Sequence, residues 1–159
     1  MPELGAFGVV KTDGWKAWCI RTITRSSVNH AFVFVGNGKI VEANPSGAAL
    51  ADVTEYPDAI WSDAPPEGKG RAVAQAALSL IGTPYSWVDD ACIGLADVFG
   101  WHVPQAVRSR LNRRDRLQCA QLVDVAYARA GVHLFEGRVP GDVSPGDLLT
   151  LIQHEKAAA

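Results

Sequence analysis

Residues 30–44 predict a β-hairpin, because two apolar segments rich in valine, isoleucine and phenylalanine, residues 31–35 and 40–43, flank a glycine-rich turn. The two halves meet at Gly36-Asn37-Gly38, and the length of this turn decides which side chains share a face. A two-residue Asn-Gly turn would put Glu42 on the face opposite His30. We favour a three-residue loop, which pairs Val35 with Lys39, because its flanking glycines can supply a left-handed bulge position. The face of His30 would then also carry Phe32, Phe34, Ile40, Glu42 and Asn44.

Helical periodicity is clearest in two later segments. Residues 68–81 carry an apolar stripe that ends just before Gly82, and residues 117–130 carry a second that ends before Gly131. The pattern also predicts helices over residues 14–25 and near 87–99. The stripe of the first segment is Val73, Ala76, Ala77, Leu80 and Ile81, and that of the second is Cys119, Leu122, Val123, Ala126 and Ala130.

The rest of the pattern predicts less regular structure. Prolines recur in residues 45–66, and we therefore expect this segment to be irregular. Residues 143–152 predict a turn followed by a final strand, and residues 155–159 a frayed tail. The elements together predict an α+β fold, in which a small antiparallel sheet packs against helices.

Length and composition set wider limits. The chain has 159 residues, 48% of them hydrophobic and 20% charged, which fits one soluble globular domain over residues 1–159. The net charge of −2 gives no case for nucleic acid or an anionic membrane as a partner. We find neither a secretion signal nor an apolar run long enough to span a bilayer. Three widely spaced cysteines favour a reducing compartment over a disulfide framework, so we expect a cytoplasmic or phage-associated protein.

Cys119 and His30 are the strongest candidates for chemistry. Cys119 lies in the first turn of its predicted helix, where the helix dipole favours a negative charge. A thiolate is the reactive form of cysteine, and a nearby imidazole can take its proton. A buried structural cysteine and a strand-edge histidine are the plainer interpretation. On the favoured register, however, His30 shares a face with two phenylalanines. Burying a polar ring there without a hydrogen-bond partner would cost free energy.

A catalytic histidine needs an acceptor that orients its second ring nitrogen. Glu42 is the natural candidate on the favoured register, and Asn44, which would lie opposite His30, is the alternative.

Tyr85 follows the rigid Gly-Thr-Pro turn and could present its hydroxyl to a site. Arginines cluster between residues 108 and 116. They form a solvated face, an anchor for an anionic substrate or partner, or a source of positive potential that would lower the pKa of Cys119. The chain has no Cys-x-x-Cys and no His pair at helical spacing, so the sequence favours neither a metal nor another cofactor.

The order of these motifs resembles the circularly permuted NlpC-like cysteine hydrolases of the papain-like superfamily, which also includes lecithin:retinol acyltransferase-like enzymes. The segment from Arg21 to Ala43 resembles their His-strand-hairpin-Glu element, and Gly82-Thr83-Pro84-Tyr85 resembles their Gly-x-Pro-Tyr element. Leu117-Gln118-Cys119-Ala120-Gln121-Leu122-Val123 resembles their Cys-x-x-Leu-Val helix start, and residues 143–148 resemble a closing turn. Many bacterial members have Ser-Glu after the cysteine, where this chain has Ala120-Gln121.

The resemblance implies a papain-like fold with Cys119 as nucleophile, His30 as base and Glu42 as orienter. Tyr85 would contribute near the oxyanion or substrate, for which Asn44 is a second candidate. We expect a cysteine hydrolase that cleaves an amide or peptide bond through an acyl-thioester, with a peptidoglycan peptide as the leading substrate. Lipid or thioester acyl hydrolysis, or acyl transfer, is an alternative within the superfamily. A catalytically inert structural or binding module, phage- or secretion-associated, is the other.

Overall fold

A five-stranded antiparallel sheet and three helices form the part of the protein that the computed structural model describes. This part comprises residues 1–13, 26–44, 46–84, 119–135, 137–138 and 143–158. The strands are β1 (Phe7–Val10), β2 (His30–Gly36), β3 (Lys39–Asn44), β4 (Gly47–Asp52) and β5 (Ile60–Trp61), and a 3-10 turn (Val53–Glu55) follows β4. The helices are α1 (Gly70–Leu78), α2 (Cys119–Arg129) and α3 (Pro145–Ala158). The strand order is β4-β3-β2-β1-β5. The predicted α+β class is confirmed.

The hairpin of β2 and β3 has the register that the sequence favoured, although its turn is different. Phe32 pairs with Glu42 and Phe34 with Ile40, but Gly36 then pairs with Lys39. The turn therefore has two residues, and the predicted three-residue loop with its Val35–Lys39 pair is wrong. Asn37 and Gly38 have φ angles of 51° and 69°, which a two-residue turn of the I′ type requires. An irregularity between Phe34 and Gly36 absorbs the extra residue and restores the register of the strands.

The pleat of the sheet separates two apolar clusters. Side chains such as Val9, Val33 and Val41 face the helices, and α1, α2 and α3 bury them from that side. The opposite face carries Phe32, Phe34 and Ile40. Val53, Tyr56 and Ala59, which lie between β4 and β5, pack against this second face together with Ala51 of β4 and Trp61 of β5. The sheet is thus buried on both faces, and the second face is the one that His30 shares.

The two predicted helices with clear stripes are present. Helix α1 is shorter than the predicted 68–81, and Leu80 remains buried in the turn that follows it, whereas Ile81 is exposed. The whole predicted stripe of the second helix is buried, although α2 ends at Arg129 and Ala130 follows it. Residues 117–118 lie outside the described ranges, as do the helices predicted over 14–25 and near 87–99 and the arginine cluster.

Two predictions about irregular and terminal segments are wrong. Residues 45–66 contain β4, the 3-10 turn and β5 instead of irregular structure. Strand β4 is rich in alanine and has little β-propensity, so its pairing with β3 is what makes it a strand. Residues 145–158 form helix α3 where the sequence predicted a strand and a frayed tail.

The start of α3 explains why it is helical. The backbone N–H of Ser144 donates to the Asp147 carboxylate at 2.9 Å, and the N–H of Asp147 donates to Ser144 Oγ at 3.2 Å. This reciprocal pair is a capping box, and Pro145 occupies the first helical position, where a missing N–H costs nothing. None of the helices in the described ranges is both long and apolar enough to cross a membrane.

Candidate active site

The hairpin brings His30 and Glu42 into direct contact. His30 is the first residue of β2, and Phe32, two residues later, points to the same face. Glu42 on β3 pairs with Phe32 and therefore lies on the face of His30. His30 Nε2 lies 2.7 Å from Glu42 Oε2, and the two side chains are only 13% and 7% exposed. The short distance and the low exposure to solvent fix the orientation of this ion pair, because few other hydrogen-bond partners can reach either group.

The Glu42 carboxylate accepts hydrogen bonds on both oxygens. Tyr56 Oη donates to Oε2 at 2.7 Å, and Asn44 Nδ2 lies 3.4 Å from Oε1. Burial disfavours the carboxylate, but the hydrogen bonds from His30 and Tyr56 outweigh it and lower the pKa of Glu42. Glu42 is therefore ionised at neutral pH, although it is buried.

Cys119 approaches the histidine from the start of α2. The residue is 6% exposed, and its thiol donates to the carbonyl oxygen of Asn29 across 3.9 Å, beside the peptide that leads into His30. Burial of the His30 ring lowers its pKa, but hydrogen bonds to Cys119 and Glu42 overcome this and raise the pKa to about 9. The imidazole thus carries a positive charge at neutral pH, next to a sulfur that can become an anion.

The loop before His30 is fixed by the side chain of Asn29. The backbone N–H of Thr12 donates to Asn29 Oδ1 at 2.9 Å, and Asn29 Nδ2 donates to Thr12 Oγ1 at 2.6 Å. The Asn29 N–H donates to the Val10 carbonyl at 3.1 Å. These bonds tie the entry to β2 to the end of β1, and they hold the carbonyl that faces Cys119.

Tyr56 completes an aromatic wall around the imidazole. Its ring stacks on Phe32 with centroids 4.9 Å apart, and the His30 ring lies 5.4 Å from Tyr56 and 5.8 Å from Phe32. Sequence reasoning missed Tyr56 and Asn29. Tyr56 is 14 residues from Glu42 in a segment predicted to be irregular, and no local pattern links the two.

The predicted site residues within the described ranges come together. Cys119, His30, Glu42 and Asn44 form one connected group, and Glu42, not Asn44, is the hydrogen-bond partner of His30. Asn44 bonds Glu42, and its Oδ1 accepts from the backbone N–H and hydroxyl of Ser46. Tyr85 lies outside the described residues. In the described part of the chain, no group of three or more His, Cys, Asp or Glu side chains is placed to hold a metal ion.

The arrangement has the parts of a nucleophile, a base and a residue that orients the base. Because Nε2 of His30 is engaged by Glu42, Nδ1 is the ring nitrogen left to exchange a proton with Cys119. Cys119 is the first described residue of α2, and the first N–H groups of a helix have no acceptor within the helix itself. A scan against protein-family models finds no match to this chain, and a search of curated proteins finds no similar sequence either.

Proposed function

We propose that this protein is a cysteine hydrolase that cleaves an amide bond through an acyl-thioester intermediate. The observation that carries the proposal is the buried Cys119–His30–Glu42 group. His30 lies 2.7 Å from the carboxylate, and the thiol bonds the carbonyl of Asn29, the residue before His30, near enough to raise the pKa of His30. A structural role alone would not need this arrangement, because burying an ion pair beside a thiol costs desolvation that apolar side chains would avoid.

In the proposed reaction, Cys119 reacts as a thiolate beside the positively charged His30, which holds the proton that the thiol has given up. The thiolate attacks the carbonyl carbon of the substrate, and the oxyanion that forms accepts hydrogen bonds from N–H groups at the start of α2. The His30 imidazolium then gives its proton to the leaving nitrogen as the C–N bond breaks. Water then attacks the thioester carbonyl and gives a proton to His30, which is neutral at this stage, and the C–S bond breaks. This releases the acid and regenerates the Cys119 thiolate beside the charged His30. Glu42 remains ionised throughout and holds the imidazole in place.

A short peptide is the proposed substrate class, with a peptidoglycan peptide as its leading member. This part of the proposal rests on the resemblance of the His30, Cys119 and Gly-Thr-Pro-Tyr segments to permuted NlpC-like hydrolases. The same catalytic group can act on lipid esters or thioesters, because the thiolate attacks any accessible acyl carbon. The two classes differ in what surrounds the acyl group, so a comparison of probes separates them.

The test labels the protein with two electrophiles, a peptide acyloxymethyl ketone and a long-chain acyl analogue of the same warhead. Cys119→Ala should abolish labelling and hydrolysis while it leaves the circular dichroism spectrum unchanged. Cys19→Ala and Cys92→Ala, which remove the other two thiols of the chain, are the matched controls and should retain both. Faster labelling by the peptide supports the proposed substrate, and faster labelling by the acyl probe supports the lipid alternative. If neither probe reacts at Cys119 in the folded protein, the proposed hydrolase function is wrong.

A further inference from the structure

The hydroxyl of Tyr56 occupies a position with no obvious structural purpose. It donates to Glu42 Oε2, the same oxygen that His30 Nε2 contacts, and both distances are 2.7 Å. The ring already packs against Phe32 and His30, so phenylalanine would fill the same space. The hydroxyl therefore adds one specific feature, a second short hydrogen bond to the oxygen that orients the histidine.

The backbone holds this hydroxyl in place. Tyr56 follows the 3-10 turn, whose first residues are locked by a capping box between Asp52 and Glu55. The N–H of Val53 donates to the Gly38 carbonyl at 2.9 Å, which ties the turn to the β2–β3 hairpin. The N–H of Ala59 donates back to the Tyr56 carbonyl at 3.2 Å. The phenol thus approaches Glu42 from an element that is itself anchored to the hairpin carrying the acid.

We propose that Tyr56 is a positioning residue of the active site, which holds Glu42 in its charged form and in the orientation that His30 requires. The role of Tyr56 in catalysis rests on the proposed function, whereas its effect on the charge and orientation of Glu42 does not. A phenol O–H can donate to a carboxylate, and it gains much less from a protonated acid that donates its own proton. Tyr56 therefore stabilises the charged state of Glu42 over the neutral one.

The neighbouring titratable groups set the sign of the expected effect. Those that face Glu42 and Tyr56 within the described residues are His30 on β2, Cys119 at the start of α2, and Glu55 on the 3-10 turn. Without the phenol hydroxyl, Glu42 takes up a proton at higher pH, and protonated Glu42 no longer holds the imidazolium. The pH at which Cys119 becomes reactive should therefore rise.

The experiment measures the rate of Cys119 alkylation by iodoacetamide as a function of pH, resolved from Cys19 and Cys92 by peptide mass spectrometry. Tyr56→Phe should move the acid limb of this profile upward by about one pH unit, the size expected for one hydrogen bond to a charged group. The acid limb of kcat/KM should move with it, and KM should change little. Tyr127→Phe is the control, because it makes the same chemical change at a more deeply buried tyrosine, which donates to the Gly5 carbonyl at 2.9 Å, away from Glu42.

A double variant separates positioning from mere packing. If Tyr56 acts through Glu42, Tyr56→Phe should cause no further shift in a Glu42→Gln background. If Tyr56→Phe fails to fold, fluorotyrosine at position 56 is the second variant; as a stronger donor it should move the acid limb downward. An unmoved limb, an equal shift in Tyr127→Phe, or a shift that persists without Glu42 would each overturn the inference. Alkylation needs no substrate, so these outcomes stand apart from a failure of the hydrolase proposal.

Discussion

Replacing Glu42 by glutamine tests the electrostatic centre of the site. The substitution keeps the size and planarity of the side chain but removes the charge 2.7 Å from His30 Nε2. A hydrogen bond to a charged group contributes about 1.5–3 kcal/mol, and one pKa unit corresponds to about 1.4 kcal/mol. The pKa of His30, about 9 in the native protein, should therefore fall by about 1–2 units in Glu42→Gln.

The measurement is an NMR titration of the His30 ring, with its signal assigned by its loss in His30→Gln. Glu55→Gln is the matched control, because it makes the same chemical change on the exposed 3-10 turn, where Glu55 accepts from the Asp52 N–H. We expect no comparable change in the His30 titration there. Cys119→Ala should also lower the pKa of His30, because the thiol is its other hydrogen-bond partner. If Glu42→Gln leaves the His30 titration unchanged, Glu42 does not hold the imidazolium and our account of the site is wrong.

Two further predictions concern stability. Because the pKa of His30 is raised from 6.5 to about 9, the stabilisation by its charge is complete below pH 6.5 and is lost as the pH rises through about 9. The pKa of Glu42 is lowered, so its share is present above about pH 4.5 and is lost as the pH falls through the folded-state pKa. Urea unfolding should therefore show the largest gap between wild type and Glu42→Gln between these limits, and a gap that does not narrow towards pH 9 would contradict this. Ser144→Ala should lower the free energy of unfolding by about 1 kcal/mol, because it removes the cap of α3. Thermal unfolding measures this change, and an unchanged midpoint would argue against the capping box.

The sequence was most informative where one face of an element is uniformly apolar. Every residue of the stripe predicted for the second helix is buried, including Ala130, which follows the end of α2, because an apolar face directs a helix towards the core. The hairpin register was also predicted, but β2 is apolar and buried on both faces, so the turn glycines favoured this register and the apolar pattern did not. The same register brought Glu42 to His30. This correct alignment came with a wrong turn, since the irregularity at Val35 compensates for the shorter loop.

The sequence was least informative where neighbours in space decide the structure. An apolar run such as residues 148–152 fits a strand or a buried helix equally, and the Ser144–Asp147 capping box was the overlooked signal for a helix. Strand β4 has no β-forming pattern of its own, and its hydrogen bonds to β3 determine it. Local patterns cannot reveal contacts that the sheet creates between its own face and the segment that covers it.

The candidate site shows the same division. The residue types and their local settings determined Cys119 at a helix start, His30 at the head of an apolar strand, and an acid on the matching face of the next strand. Only the tertiary structure decided that the start of α2 lies next to the start of β2 and that Thr12 hydrogen-bonds Asn29. It also decided that Tyr56 and His30 contact the same carboxylate oxygen of Glu42. Periodicity specifies which way a side chain faces along its own element. The distance between two elements depends on how the whole core packs, which no local segment encodes.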